Sequence, residues 1–247
     1  MTPNTRRTVA LAYGALCHTS FAAGVTLMAV QLYAGLALGR GQLTGAAAWL
    51  VNLALVAQFP LLHSWLLTPR GRAWLLRLAP RAVAADLSTT LFATVASWQL
   101  ILLFVAWNPS GRLWWEPHGL GLEIEIALYA GAWLFLGKAL WDGGLALQSG
   151  FLGWSALFRG VPPAYPAFPP QGLFRFVRQP IYLGFALTLW SGPVWTPDHL
   201  LLALLWTAYC VFGPLLKEAR YQRFHPAALA EYRRRVPYLI PRRTPGP

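Results

Sequence analysis

Six long apolar runs, at about 9–38, 44–67, 87–107, 123–147, 181–196 and 199–216, leave this chain few ways to fold. A helix needs about 20 apolar residues to cross the ~30 Å hydrocarbon core of a bilayer, where every backbone polar group must be bonded within the protein. The last two runs are near the lower limit. They divide at Thr196, Pro197 and Asp198, which predicts a tight antiparallel hairpin. Only 11% of the residues are charged, against roughly 25% in a soluble domain. The fold class that follows is all-α, a polytopic bundle of about six transmembrane helices whose first partner is the lipid bilayer.

The formal charge of +12 raises the question of nucleic acid. The basic residues, however, lie between the apolar runs and are not interleaved with aromatics on a polar face, so no nucleic-acid partner is expected. Membrane topology explains them better, because cytoplasmic loops collect Lys and Arg. Alternate connections hold Arg6 and Arg7; Arg70, Arg72, Arg77 and Arg81; Arg159, Arg175 and Arg178; and the basic residues from Lys217 to Arg243. The opposite connections hold Arg40 and Arg112, a bias of 17 to 2. Six crossings with both termini cytoplasmic follow, whereas five would put a basic segment on the wrong side. The first run is too long for the apolar part of a signal peptide and is expected to stay as a helix. Cys17 and Cys210 sit inside apolar runs, which predicts neither a disulfide framework nor a metal site.

Polar residues inside the runs are candidates for function by default. His18 is expected to be satisfied by a neighbouring helix. Pro60 predicts a kink between Gln58 and His63, and His63 either lines a cytoplasm-facing pocket or bonds at the interface. The third run opens near Asp86 and Ser88, a sequence suited to an N-cap. Trp107, Trp114 and Trp115 form a candidate outer aromatic belt. Lys138 and Asp142 are four apart and can pair on one helix face. Organisation divides at about residue 150. Residues 1–150 are membrane helices, and residues 151–247 hold a proline-rich connection, the last hairpin and a terminal helix. Pro162, Pro163, Pro166, Pro169 and Pro170 make that connection stiff and extended, as either a lid or a linker.

The stretch GLFRFVRQPIYLG from Gly172 to Gly184 resembles the G-x-Y-x-x-x-R-H-P-x-Y-x-G motif of the isoprenylcysteine carboxyl methyltransferase-like membrane methyltransferases. Downstream, KEARYQRFHPAALAEYRRRVPYLIP is similar to that superfamily's Glu-rich turn, short amphipathic helix and V-P-x-L-I-P ending. Residues 171–241 carry the resemblance, and the first 150 agree mainly in topology. Within the superfamily, the hairpin and the upstream LLHSWLL look most like the methanethiol S-methyltransferase branch. Two departures stand out. Gln179 occupies the motif's histidine position, and Lys217-Glu218 stands where two glutamates are common.

The resemblance implies an S-adenosylmethionine site at the cytoplasmic end of the last two spans. A bacterial inner membrane is the expected location, and an endomembrane would show the same charge bias. A ligand bearing a carboxylate, an ammonium, an adenine and a sulfonium calls for a cation, an acceptor and a flat apolar wall. The implied cofactor-binding set is Gly172, Arg178, Gln179, Pro180, Tyr182, Gly184 and Glu218. Arg178 and Glu218 are also the implied catalytic residues, Arg178 through its planar fork and Glu218 as an acceptor or as the group that holds Arg178 in place. The implied acceptor is a small thiol such as methanethiol. A prenylcysteine or lipid amine, and a noncatalytic module that keeps the fold, remain the alternatives.

Overall fold

The computed structural model describes residues 1–168 and 171–241, so the expectations placed on Pro169, Pro170, Arg242 and Arg243 fall outside the described residues. Helices follow in the order α1 (Pro3–Tyr33), α2 (Gly45–Leu66), α3 (Pro69–Leu75), α4 (Ser88–Ala106), α5 (Leu120–Asp142), α6 (Leu145–Gln148), α7 (Phe151–Arg159), α8 (Pro180–Trp190), α9 (Pro197–Phe224) and α10 (Pro226–Arg235). Among the described residues the only extended pairing is an isolated antiparallel bridge between Trp115 and Trp195. The chain forms two compact units.

The first unit takes residues 1–31, 36–112 and 145–165. Its core includes Ala10, Leu66, Leu75, Leu87, Leu91 and Leu157. Polar residues within its helices are matched to one another. Trp154 Nε1 donates to His18 Nε2 at 2.9 Å, so His18 is satisfied by a neighbouring helix, as its sequence context suggests. Gln58 pairs with Gln99 on α4 instead of meeting His63, which stacks on Phe59 and lies tilted against Phe92. Gly14 is small because any Cβ there would meet the Trp154 indole at 2.6 Å. Two expectations need correcting. Helix α4 starts at Ser88 with no side-chain cap, and the long connection before residue 180 opens with helix α7. Gly150 and Gly160 bound α7 in the left-handed region, at φ 76° and 73°, where other residues are strained.

The second unit takes residues 32–35, 113–144 and 166 onward. Helix α8 packs between α5 and α9, and α10 folds back on α9. Thr196 caps α9 by accepting from the His199 N–H at 3.0 Å, with Pro197 at the first helical position, so the tight hairpin forms where the sequence places it.

Five helices, α1, α2, α4, α5 and α9, are long and apolar enough to cross a membrane. Large apolar side chains on them stay exposed, among them Leu50, Leu61, Leu134 and Phe212, as lipid contact requires. Helix α8 has 11 residues, so at 1.5 Å per residue it covers only about 16 Å, half the hydrocarbon thickness. The segment that follows is irregular, yet its backbone is bonded within the protein. Trp195 donates to the Trp115 carbonyl at 2.9 Å, and Trp114 and Trp115 donate back to the Trp195 carbonyl. The His199 ring lies 3.0 Å from the Val194 carbonyl and 2.8 Å from that of Leu189, and stacks on Trp195. Non-helical backbone at membrane depth is tolerated only under such burial.

Helix α9 is longer than its apolar run. At 28 residues it measures about 42 Å, so its last third extends past the ~30 Å hydrocarbon layer. The turn expected at Lys217-Glu218 is therefore helix. Lys, Glu, Ala, Arg and Gln are good helix formers, and the helix ends only at Phe224, where Pro226 pushes His225 out of helical geometry.

Gly184 lets α8 approach α5, since a Cβ there would sit 2.9 Å from Leu136 Cα. Gly184→Val is expected to cost about 1–3 kcal/mol by overpacking, read as a thermal midpoint in detergent lowered by roughly 5 °C. Gly131→Val, where a Cβ meets nothing within 4 Å, serves as the control and should leave the midpoint unchanged.

Candidate active site

The motif residues converge in the second unit, at the start of α8 and the last third of α9. Pro180 opens α8, so Arg178 and Gln179 stand just before the helix, and their backbone N–H groups are held by the chain's C-terminal segment. Arg178 N–H donates to the Pro237 carbonyl at 2.8 Å and Gln179 N–H to that of Tyr238 at 3.2 Å. The V-P-Y-L-I-P ending thus serves as a strap that fixes the motif. Tyr238 is anchored to α9, its hydroxyl donating to the Val211 carbonyl at 2.7 Å. Burial, and then the charge of Glu218, pushes that phenol up to about 12, so it stays a donor at neutral pH.

Glu218 is the hub. Its Oε1 accepts from Arg178 Nε at 2.9 Å and from Gln179 Nε2 at 2.8 Å, and its Oε2 accepts from Arg233 Nε at 2.8 Å. The Glu218 side chain is 4% exposed and that of Arg178 12%, so the pair is effectively desolvated, while Arg233 at 41% is a solvent-facing partner. Arg178 Nη1 also donates to the Val236 carbonyl at 2.7 Å, and Nη2 has no hydrogen-bond partner among the described residues. Lys217 Nζ donates to Gln179 Oε1 at 3.1 Å. An unbroken chain therefore runs from Lys217 through Gln179 to Glu218 and both arginines.

Around this network lie Phe168, Phe174, Tyr221, Leu229 and Tyr232, which with Arg178, Gln179, Lys217 and Glu218 line a cavity. Phe168, on the proline-rich connection, stacks on His225 with centroids 5.3 Å apart and touches Tyr221 and Tyr232. Tyr232 OH donates to the Phe174 carbonyl at 2.7 Å, and burial raises its pKa. The cavity volume is about 10 Å³, room for one water. A nucleotide-sized ligand therefore requires the walls to part, and Phe168 is the wall contributed by the proline-rich connection.

The donor set suits S-adenosylmethionine by its chemistry. The Nη2 edge of Arg178 and the exposed Arg233 are cations for a carboxylate, Glu218 Oε2 has capacity for one more donor, and the aromatic rings are flat walls for an adenine. The other implied residues sit differently. Tyr182 does not line the cavity; it packs edge-on against Tyr209 and lies under Lys217. Gly172, at φ 62°, faces the Asp142 carboxylate, which a Cβ would overlap. Asp142 pairs with Lys138 and accepts from the Leu173 N–H at 2.8 Å, so Gly172 serves the joint between α5 and the motif. Gly184 serves helix packing. Sequence reasoning passed over Lys217, Phe168, Tyr221, Tyr232 and Arg233 as site residues. Only Lys217 carried a signal, its place in the acidic pair.

No family model matches the chain, and no solved structure matches it. Curated relatives do. The chain is 33% identical over 199 residues to methanethiol S-methyltransferase 2 of Bradyrhizobium diazoefficiens, covering 79% of this chain and 74% of that protein. It is 29% identical over 239 residues to methanethiol S-methyltransferase 1 of the same organism, covering 94% and 82%. With methanethiol S-methyltransferase of Crocosphaera subtropica it shares 28% over 251 aligned positions, covering 95% and 92%. A site built on the R-x-P-x-Y-x-G core, in an all-helical membrane chain with relatives of this coverage, places the protein in the methanethiol S-methyltransferase family of isoprenylcysteine carboxyl methyltransferase-like membrane methyltransferases.

Proposed function

We propose that the protein transfers a methyl group from S-adenosylmethionine to a small thiol such as methanethiol, at the cytoplasmic face of a bacterial inner membrane. The observation that carries this reading is the buried Glu218 carboxylate holding Arg178, Gln179 and Arg233 beside an aromatic-walled cavity. The cytoplasmic side is favoured by the distribution of basic residues, which gather in the same connections as the site. In this reading α8 and the irregular segment after it make the sixth crossing, residues 1–150 form the membrane anchor, and residues 151–247 supply the site.

When bound, S-adenosylmethionine supplies an electrophilic methyl on a sulfonium. The protein's share of the work is to position, exclude water and keep the acceptor reactive. Arg178 offers its Nη2 edge to the donor's carboxylate. Glu218 acts on Arg178, locking the guanidinium in one orientation, and its remaining lone pair is available to an ammonium or hydroxyl. Phe168 and its ring partners close over the cavity and keep it dry.

Methyl transfer to methanethiol, followed by mass spectrometry with purified protein, checks the reading. Arg178→Ala should lower turnover at least ~100-fold, the usual scale for an oriented group whose loss misplaces a reactant by an ångström. Unchanged turnover would remove Arg178 from the site. Glu218→Gln leaves two cations without their carboxylate and should destabilise the fold by about 3 kcal/mol. Arg233→Gln, on the solvent side, should cost under ~1 kcal/mol. Equal losses in denaturant titration would contradict the assignment of Glu218 as the buried hub.

A further inference from the structure

Two positions depart from the family motif, Gln179 for histidine and Lys217 for glutamate, and the structure brings them into contact. Lys217 Nζ donates to Gln179 Oε1 at 3.1 Å while Gln179 Nε2 donates to Glu218. The amide is thus oriented by a partner at each end. A histidine there would offer no carbonyl-type acceptor while still donating to Glu218, so the two departures fit one another. Lys217 is half-buried, desolvation lowers the pKa of its amine to about 8, and among the described residues it makes no ion pair, the Glu218 oxygens being bonded to Arg178, Arg233 and Gln179. Three rings enclose its amine, Phe174 and Tyr182 with centroids at 5.7 Å and Tyr221 at 5.9 Å.

Such an amine has one hydrogen bond and capacity left over, facing the cavity it lines. The other polar groups of the cavity are poor proton acceptors. A guanidinium and an amide are not bases, burial of the Glu218 carboxyl is outweighed by hydrogen bonds from Arg178 and Arg233 that hold it below its usual range, and Tyr232 keeps its proton. His225 lies behind Phe168 and does not line the cavity. A thiol is unreactive until it becomes a thiolate.

We propose that Lys217 Nζ is the base and anion holder for the acceptor thiol. The inference rests on the thiol methyltransferase reading above. The acceptor S–H bond breaks, its proton passes to the neutral Nζ, and the electron pair stays on sulfur next to the new ammonium. That pair forms the new carbon–sulfur bond as the donor's methyl–sulfur bond breaks with its electrons going to the donor sulfur. Lys217 returns the proton to water as the thioether leaves. Lysine suits the task where arginine would not, because its amine can both lose and accept a proton.

The test compares wild type with Lys217→Met and Lys217→Gln, after confirming folding by monodispersity and thermal midpoint in detergent. S-adenosylmethionine affinity is measured by calorimetry, and methyl transfer is followed across thiols of rising acidity: ethanethiol, 2-mercaptoethanol, trifluoroethanethiol and benzenethiol. Both variants should bind the donor within about threefold of wild type, lose at least ~100-fold on ethanethiol, as expected for removal of a general base, and recover to within tenfold on benzenethiol, which arrives ionised. A third readout does not depend on turnover. With S-adenosylhomocysteine present, the ultraviolet absorbance of bound thiolate should appear with wild type and ethanethiol and be absent with Lys217→Met. An equal deficit across all four thiols, or loss of donor affinity in the variants, overturns the assignment of Lys217 and leaves the thiol reading standing. Failure of wild type to methylate any thiol while binding the donor overturns the thiol reading itself.

Discussion

A single buried carboxylate organises the functional end of this protein. Glu218 accepts from Arg178, Gln179 and Arg233, which lie before α8 and on α10, so one side chain on α9 ties three separate segments together. Desolvating a carboxylate costs several kcal/mol unless its lone pairs are filled, and three donors at 2.8–2.9 Å fill most of them. The geometry of the site then follows from the need to keep that charge satisfied. Arg178 is held in one orientation by Glu218 and by the Val236 carbonyl, which leaves its Nη2 edge without a hydrogen-bond partner among the described residues.

The membrane imposes the second constraint. Helix α8 begins at the motif proline and ends after only 11 residues, too short to cross the bilayer. The chain resolves this by bonding the segment after α8 to Trp114, Trp115 and His199. Helix α9 does the reverse, running beyond its apolar stretch so that Lys217 and Glu218 emerge on a rigid helical platform. A short helix and an overlong one thereby place their functional ends at the same level. The strap at residues 236–238 closes the arrangement through backbone hydrogen bonds to Arg178 and Gln179.

Much of this was legible in the sequence. Apolar runs locate the long helices, Thr196-Pro197 locates the hairpin, and the motif singles out Arg178, Gln179 and Glu218. Helix ends were less visible, because α9 continues on propensity after hydrophobicity stops. The motif glycines suggest clearance for a nucleotide, and the structure shows what else they allow: Gly172 packs against α5 at Asp142 and Gly184 at Leu136. Phe168, Tyr221 and Tyr232 could not be read as cavity walls, since aromatic residues are common along the whole chain and only the fold selects which rings meet.

The central claim is that the Glu218-held arginine and its aromatic surround form a binding site for a sulfonium methyl donor. Isothermal titration of folded, detergent-purified protein with S-adenosylmethionine tests it most directly. Saturable one-to-one binding, weakened at least tenfold by Arg178→Ala, is the result the account predicts. Absence of binding by folded wild-type protein, or binding that Arg178→Ala leaves unchanged, would contradict it.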